Sequence, residues 1–299
     1  MTVMDKLVSV IIIAYNIEQY IEKCLDSVLN QTYTNLEIMV VDDASTDKTR
    51  QICDEYVGKD SRVKVIHLSK NEGAANARNL AIENTNGEYL TFIDGDDWVN
   101  DNYVEEFLDL AEKNNAEVVI GPYYRFSDKE GMFYFYDAGY STGELKLDDY
   151  LRERALKKVA WYVTACGKLY HRRLFNEKLY GADYFPSDVI MGEDQLIIHR
   201  LCLRANRIWY DQNACYCWRI RENSATQSSM TVKKASDCLE GEIQYLVDLM
   251  TIGKLNNTAV RAFQNNINLV KSDLEGQGLQ NSGVYHKICQ LLVLGTRGK

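Results

Sequence analysis

Through the first 121 residues the apolar positions switch repeatedly between continuous runs and helical spacing, and that alternation predicts a layered α/β domain. Leu7 to Ala14 (LVSVIIIA) is a β-branched apolar run, too short for most helices and too continuous for a half-exposed strand. It predicts a central parallel strand. Ile17, Tyr20, Ile21, Cys24, Leu25, Val28 and Leu29 then recur every three or four residues, the apolar face of a helix. A second strand is expected over Leu36 to Val41, with Asp42 to Asp47 as its exit loop. A helix follows over Thr46 to Val57, with Ser45 as its cap.

The same reading gives a strand over Val63 to Leu68, a helix over Gly73 to Asn84, and a buried strand over Tyr89 to Ile93. A helix over Asp101 to Asn114 and a short strand over Glu117 to Gly121 complete the series. Strands alternating with helices imply a doubly wound, mostly parallel sheet flanked by helices, with its active edge at the carboxyl ends of the strands. After Pro122 the pattern breaks. Tyr123 to Tyr140 is an aromatic, irregular or antiparallel excursion, followed by helices near Leu147 to Lys158 and Asp194 to Ala205 and a strand pair over Ile208 to Ile220. From about 231 to 299 the chain reads as a helical C-terminal extension, with helices near Ala235 to Met250, Thr258 to Leu274 and Val284 to Leu294.

Composition narrows the partners. A net charge of -9 argues against nucleic acid, because phosphate binding needs a basic surface. No run of about 18 apolar residues and no leader pattern occurs, so the expectation is a cytoplasmic protein. Ile288, Leu291, Leu292 and Leu294 beside Lys287, Arg297 and Lys299 permit weak contact at the inner face of a membrane, or pairing of two subunits, though ordinary packing is the simpler reading. The eight cysteines contain no C-x2-C pair and read as reduced, buried thiols, with Cys215 and Cys217 on a strand.

Three acidic clusters fall at loops: Asp42-Asp43, then Asp94-Gly95-Asp96 followed by Asp97, and Glu193-Asp194 after Gly192. The first two leave strands of one parallel sheet and share its edge. Carboxylates this close repel unless a cation or a ring of donors screens them. A nicotinamide site and a P-loop are excluded, since Tyr15-Asn16-Ile17-Glu18 carries neither glycine signature. A nucleotide diphosphate held through Mg²⁺ or Mn²⁺ does fit: Asp96 would anchor the divalent cation, Asp94 would accept from sugar or ribose hydroxyls, and Gly95 would let the backbone approach the ligand. The plainer alternative is an acidic turn, with Asp97 or Asn100 starting the next helix.

Together SVIIIAYN (Ser9 to Asn16), VVDDASTDKT (Val40 to Thr49), NEGAANARNLAI (Asn71 to Ile82), GEYLTFIDGDD (Gly87 to Asp97), KLY (Lys168 to Tyr170), GEDQL (Gly192 to Leu196) and YCWRIRENSAT (Tyr216 to Thr226) carry a resemblance. The chain resembles a bacterial family 2 glycosyltransferase of the GT-A fold over roughly residues 7 to 226. The resemblance implies an inverting transfer of sugar from a UDP-linked donor to a hydroxyl of a glycan or glycoprotein. Residues 1 to 121 would form the nucleotide-binding half, 122 to 230 the acceptor side, and 231 to 299 an extension. It implies Asp43 on the nucleobase with Ala14, Tyr15 and Asn16 lining its pocket. Arg78 would support the nucleotide, Asp94 and Asp96 would form the D-x-D metal pair, and Arg219, Arg221 and Ser224 would meet the diphosphate. Lys168, Tyr170 and Trp161 would lie on the acceptor side.

Asp194 is the expected general base, because a single displacement needs a carboxylate opposite the departing diphosphate, with Glu193 beside it. Alternatives stay open. Glu193 and Asp194 also suit the N-terminus of a helix, Arg78 suits an ion pair with Asp42 or Asp94, and Arg219 and Arg221 suit a solvated strand face. A nucleotidyltransferase would need a glycine-rich basic loop after the first strand, which is absent. A non-catalytic binding subunit would have no need to keep Asp43, Asp94, Asp96 and Asp194 together.

Overall fold

The structure, a computed structural model, describes residues 6–135, 139, 141–156, 162–213, 216–221 and 229–296. Its core is an eight-stranded sheet. Strands β1 (Val8–Ala14), β2 (Leu36–Asp42), β3 (Val63–His67) and β4 (Tyr89–Asp94) are parallel neighbours in the order β3-β2-β1-β4, as the apolar runs predict. β1 and β2 are buried almost throughout, which is why they read as unbroken Val and Ile runs. Helices α1 (Ile21–Leu29), α2 (Thr49–Lys59) and α3 (Ala74–Glu83) connect them, and α4 (Tyr103–Asn114) leads from β4 toward β6 (Val118–Ile120).

α1 begins four residues later than the apolar spacing suggests. Asn16 adopts a left-handed conformation (φ 49°), and the amide of Ile17 donates to Thr49 Oγ1 at 2.8 Å, so Ile17 to Tyr20 are spent on a turn. α2 also starts late, at Thr49. Ser45 is not its cap, because the Ser45 hydroxyl accepts from the amide of Asn16.

Beyond β6 the chain folds back into the same sheet. β10 (Lys168–His171) lies antiparallel between β4 and β6, β11 (Ile208–Tyr210) pairs parallel with β6, and β9 (Gly143–Glu144) closes the edge. A second, four-stranded sheet has the order β5 (Trp98–Val99), β12 (Tyr216–Ile220), β7 (Tyr123–Ser127), β8 (Met132–Tyr134). The aromatic excursion is therefore the β7–β8 hairpin, antiparallel as read. The expected strand pair over Ile208 to Ile220 is corrected: β11 and β12 do not pair with each other but join different sheets.

Helices α5 (Leu147–Leu156) and α6 (Glu193–Arg204) belong to the stretch between residues 122 and 230. The extension forms α7 (Val232–Thr251), α8 (Asn257–Gly276) and α9 (Gly283–Thr296), close to the predicted spans. Ala235, Leu239, Phe263, Ile267, Leu274 and Ile288 make a small core among these helices, whereas Tyr245, Leu249 and Ala259 belong to the main core. Ile288 is buried in this small core and Leu291 and Leu292 pack partly buried against it, in keeping with the packing reading. Arg297 and Lys299 lie outside the described residues. Among the described residues no helix is long and apolar enough to cross a membrane. Cys24, Cys53, Cys166, Cys202 and Cys217 are buried free thiols, and Cys215 lies outside the described residues.

Candidate active site

Register places the carboxyl ends of three strands side by side: Ala14 of β1 stands opposite Asp42 of β2, and Ile13 opposite Asp94 of β4. The exits of β1 and β2 are stitched together. Thr46 donates its amide to Asn16 Oδ1 at 2.8 Å, Glu18 donates to Asp47 Oδ2 at 3.0 Å, and Lys48 donates to Glu18 Oε2 at 2.8 Å. Such side-chain bonds to backbone fix loops that no ladder holds. Ala14 is buried, Tyr15 is exposed at the mouth, and Asp43 is buried. Asp43 accepts the amides of Glu72 at 2.7 Å and Gly73 at 2.8 Å, so it orders the loop that launches α3.

Arg78 organises the acidic crevice. Its side chain, only 5% exposed, donates from Nη1 to Glu193 Oε1 at 2.8 Å and from Nη2 to Asp94 Oδ1 at 3.2 Å, with Asp194 Oδ1 also 3.2 Å from Nη1. The ion-pair alternative with Asp94 therefore holds. The one with Asp42 does not, because Asp42 takes His67 Nδ1 at 2.8 Å and the amide of Ser45 at 3.0 Å.

Asp94, Gly95, Asp96 and Asp97 form a tight turn in which the amide of Asp97 donates to Asp94 O at 2.9 Å. Gly95 is required by packing: a Cβ there would lie 2.8 Å from Ile13 O and 2.5 Å from Ile17 Cδ1. Arg221 donates from Nε to Asp96 Oδ2 at 2.6 Å, and Arg219 donates from Nε to Asp96 O at 2.7 Å. Both guanidiniums lie over the ring of Tyr20, at 4.8 Å for Arg219 and 5.5 Å for Arg221. Arg219 also pairs with Asp128, while β12 and the residue that follows it bring both arginines to the acidic turn instead of to a solvated face.

Asp97 corrects the sequence reading. It starts no helix; it is buried, accepts from Tyr216 Oη at 2.5 Å and from the amide of Arg219 at 2.8 Å, and so ties the turn to β12. Burial pushes its carboxyl well above the usual range, and the charges of Asp96 and Asp94 add to the effect. No local pattern distinguishes Asp97 from its neighbours, and Tyr216, which closes this contact from 119 residues away, was missed for the same reason.

Glu193 and Asp194 occupy the first turn of α6, so the helix-terminus reading and the crevice reading both apply. Neither caps the helix; the N-cap is Gly192, in the left-handed region at φ 89°. Asp194 Oδ2 accepts the amide of Ala165 at 2.8 Å, while the buried Oδ1, though close to Arg78, has no aligned hydrogen bond. Burial raises the Glu193 carboxyl above its ordinary range, the Asp194 charge reinforces this, and Arg78 opposes it.

Lys168 and Tyr170 are not on an acceptor surface: both are fully buried. Lys168 Nζ donates to Cys166 O at 3.2 Å and Tyr170 Oη to Ala165 O at 3.0 Å. Burial draws the Lys168 ammonium down to about 8. The two residues thus brace, from behind, the loop whose Ala165 amide holds Asp194. Trp161 and Ser224 lie outside the described residues.

An eight-stranded α/β sheet with an acidic crevice at its strand ends is the GT-A architecture, and the comparisons agree. Residues 9–179 match the model of Glycosyl transferase family 2. The chain is 32% identical over 297 residues to glycosyltransferase GlyG of Streptococcus pneumoniae serotype 4, covering 97% of this chain and 96% of that protein. It is 36% identical over 228 residues to glycosyltransferase GlyA of the same organism, covering 75% of this chain but only 32% of that longer protein. Among solved structures, TarS residues 1–349 of S. aureus in complex with UDP-GlcNAc superposes with a TM-score of 0.68 at 22% identity, over 89% of this chain and 81% of that one. The chain belongs to glycosyl transferase family 2, and it is a glycosyltransferase.

Proposed function

We propose that the protein is an inverting, divalent-cation-dependent glycosyltransferase that moves a sugar from a UDP-linked donor to a hydroxyl of a glycan or glycoprotein. The observation that carries this reading is Arg78, which holds the β4 carboxylate Asp94 and the α6 carboxylates Glu193 and Asp194 around one crevice. TarS, a neighbour in fold, has been solved with UDP-GlcNAc and with UDP, which supports a uridine nucleotide as donor.

The residues present suit a hard cation. Carboxylates outnumber guanidiniums in the crevice: Asp94, Asp96, Glu193 and Asp194 face Arg78 and Arg221. Among the described residues no group of three metal-capable side chains converges. Mg²⁺ or Mn²⁺ needs no such group, since it keeps waters and takes one or two carboxylates together with substrate phosphates. Asp96, with Asp94, would hold the ion, whose chemistry is to neutralise the diphosphate as it leaves. Arg221, now on Asp96 Oδ2, is the guanidinium best placed to turn toward the diphosphate and donate in a fork.

Asp194 acts as general base. Its Oδ2 is fixed by the Ala165 amide, and Oδ1, which carries no aligned hydrogen bond, is the oxygen left to take the acceptor proton. Geometry supplies most of the effect, since a carboxylate is a weak base that works when held in line with the reacting hydroxyl. Glu193, with its raised affinity for a proton, shares Arg78 with Asp194: Nη1 lies 2.8 Å from Glu193 Oε1 and 3.2 Å from Asp194 Oδ1.

A screen of nucleotide sugars for Mn²⁺-dependent hydrolysis tests the class and names the donor. UDP sugars should be consumed and other nucleotides spared, and proton NMR of the product should show an inverted anomeric centre. Asp96→Ala should lose both the hydrolysis and the Mn²⁺-dependent part of UDP binding by calorimetry. Unchanged Mn²⁺ dependence would remove the metal assignment.

A further inference from the structure

The segment that delivers Glu193 and Asp194 is poorly fixed by its own chain. Residues 186–192 form no regular element, Ile190 is 64% exposed, and Gly192 gives α6 no side-chain cap. An uncapped helix start after an irregular loop frays unless something else holds it. Here the holder is α7 of the C-terminal extension.

Asp237 of α7, itself buried, accepts the amide of Ile190 on Oδ2 at 2.9 Å. Its Oδ1 accepts from Lys233 Nζ at 2.5 Å, and the same ammonium donates to Asp188 O at 2.8 Å. Leu196, on the first turns of α6, lies against Gly241. About three turns along α7 from Asp237, roughly 16 Å, Asp248 takes His199 Nε2 at 2.7 Å and Arg200 Nε at 2.7 Å. Gln244 steadies the other oxygen of Asp248 at 2.9 Å, and the ring edge of Tyr245 meets His199 at 5.1 Å between centroids. Contacts therefore fall on both sides of Glu193-Asp194: Asp237 grips the loop before the pair and Asp248 the helix after it. Contacts of a buried carboxylate, Asp237, and a half-buried one, Asp248, favour one register, because sliding by a residue would leave both charges unpaired.

We propose that α7 is a splint for the catalytic pair, with Asp237 and Asp248 as positioning residues that fix where Asp194 stands in the donor crevice. Neither touches substrate. The inference rests on the reading of Asp194 as the base. It also makes the extension part of the catalytic unit, although its helices lie outside the stretch 9–179 matched by the family model.

The test compares full-length Asp237→Ala with Asp237→Asn, since Asn retains a carbonyl oxygen able to accept the Ile190 amide. Two readouts apply: amide hydrogen exchange over residues 188–196, and UDP release from UDP-GlcNAc with Mn²⁺ alongside UDP binding by calorimetry. Asp237→Ala should speed exchange over 188–196 at least tenfold with α3 unchanged, lower kcat at least tenfold, and leave the UDP affinity within twofold. Asp237→Asn should restore most of both. Exchange within twofold of wild type in Asp237→Ala overturns the splint, whatever the donor sugar. So does equal damage from Ala and Asn. Asp194→Asn in the same assay separates the two readings: if it turns over normally while Asp237→Ala loosens the loop, the base assignment has failed and the clamp stands only as structure.

Discussion

Arg78 Nη1 donates to Glu193 Oε1 at 2.8 Å, joining residues 115 positions apart in the chain. The same guanidinium reaches Asp94 and Asp194, so one cation restrains three carboxylates contributed by β4 and α6.

Removing that cation while keeping the volume exposes their repulsion. Arg78→Met should lower the unfolding free energy at pH 7 by about 3 kcal/mol or more, in line with breaking a buried ion network. The loss should be smaller when measured at pH 5, because burial and the Asp194 charge raise the affinity of Glu193 for a proton above that of an ordinary carboxyl. Urea denaturation at the two pH values checks this; an equal loss at both would mean that packing, not charge, is what Arg78 supplies.

Asp194→Asn keeps the shape and the bond to the Ala165 amide but removes the basic oxygen pair. UDP binding should stay within about twofold of wild type, while turnover falls by about 100- to 10,000-fold, the usual contribution of a positioned base. Calorimetry and UDP release measured on the same preparation decide it, and turnover close to wild type would exclude Asp194.

Gly95→Ala should cost about 1–3 kcal/mol, because the new methyl meets the Ile13 carbonyl of β1 at 2.8 Å, and a central strand cannot yield as a side-chain tip can. A melting temperature equal to wild type would show that the turn has slack.

His199 provides a pH signature. Burial holds its imidazole down to about 4 from 6.5, Arg154 acts in the same direction, and the bond to Asp248 opposes it. The unfolded chain therefore binds this proton at a higher pH than the folded one, and stability rises with pH between about 4 and 6.5. Acidification through that window should remove up to about 3 kcal/mol, and His199→Gln should flatten that limb of the stability curve. Denaturation midpoints from pH 4 to 7 provide the measurement; parallel curves for the two proteins would assign the acid sensitivity elsewhere.

The stretch from β1 to β6 was legible because its central strands are buried on both faces and its helices keep one apolar stripe, so β1, β2 and α3 announce themselves within a few residues. Asp94 and Asp194 were legible as candidates because acidic clusters at strand and helix ends are few. What escaped depends on partners remote in sequence. Asp97 looks like a helix starter until Tyr216 and the Arg219 amide are seen to claim it. Lys168 looks like a polar surface residue until the carbonyls of Thr164 and Cys166 surround it. β11 and β12 look like a hairpin, since short apolar runs carry no sign of which sheet they join.

β10 has a consequence for synthesis of the chain. β4, the strand that delivers Asp94, has β1 on one side, but its other neighbour is β10, which emerges more than 70 residues later. At roughly 5–20 residues per second on the ribosome, the apolar edge of β4 stays uncovered for several seconds. Closing such non-local pairings is slow, and an open hydrophobic edge recruits other chains. The strand that makes the site also makes the nascent protein a natural client for chaperones.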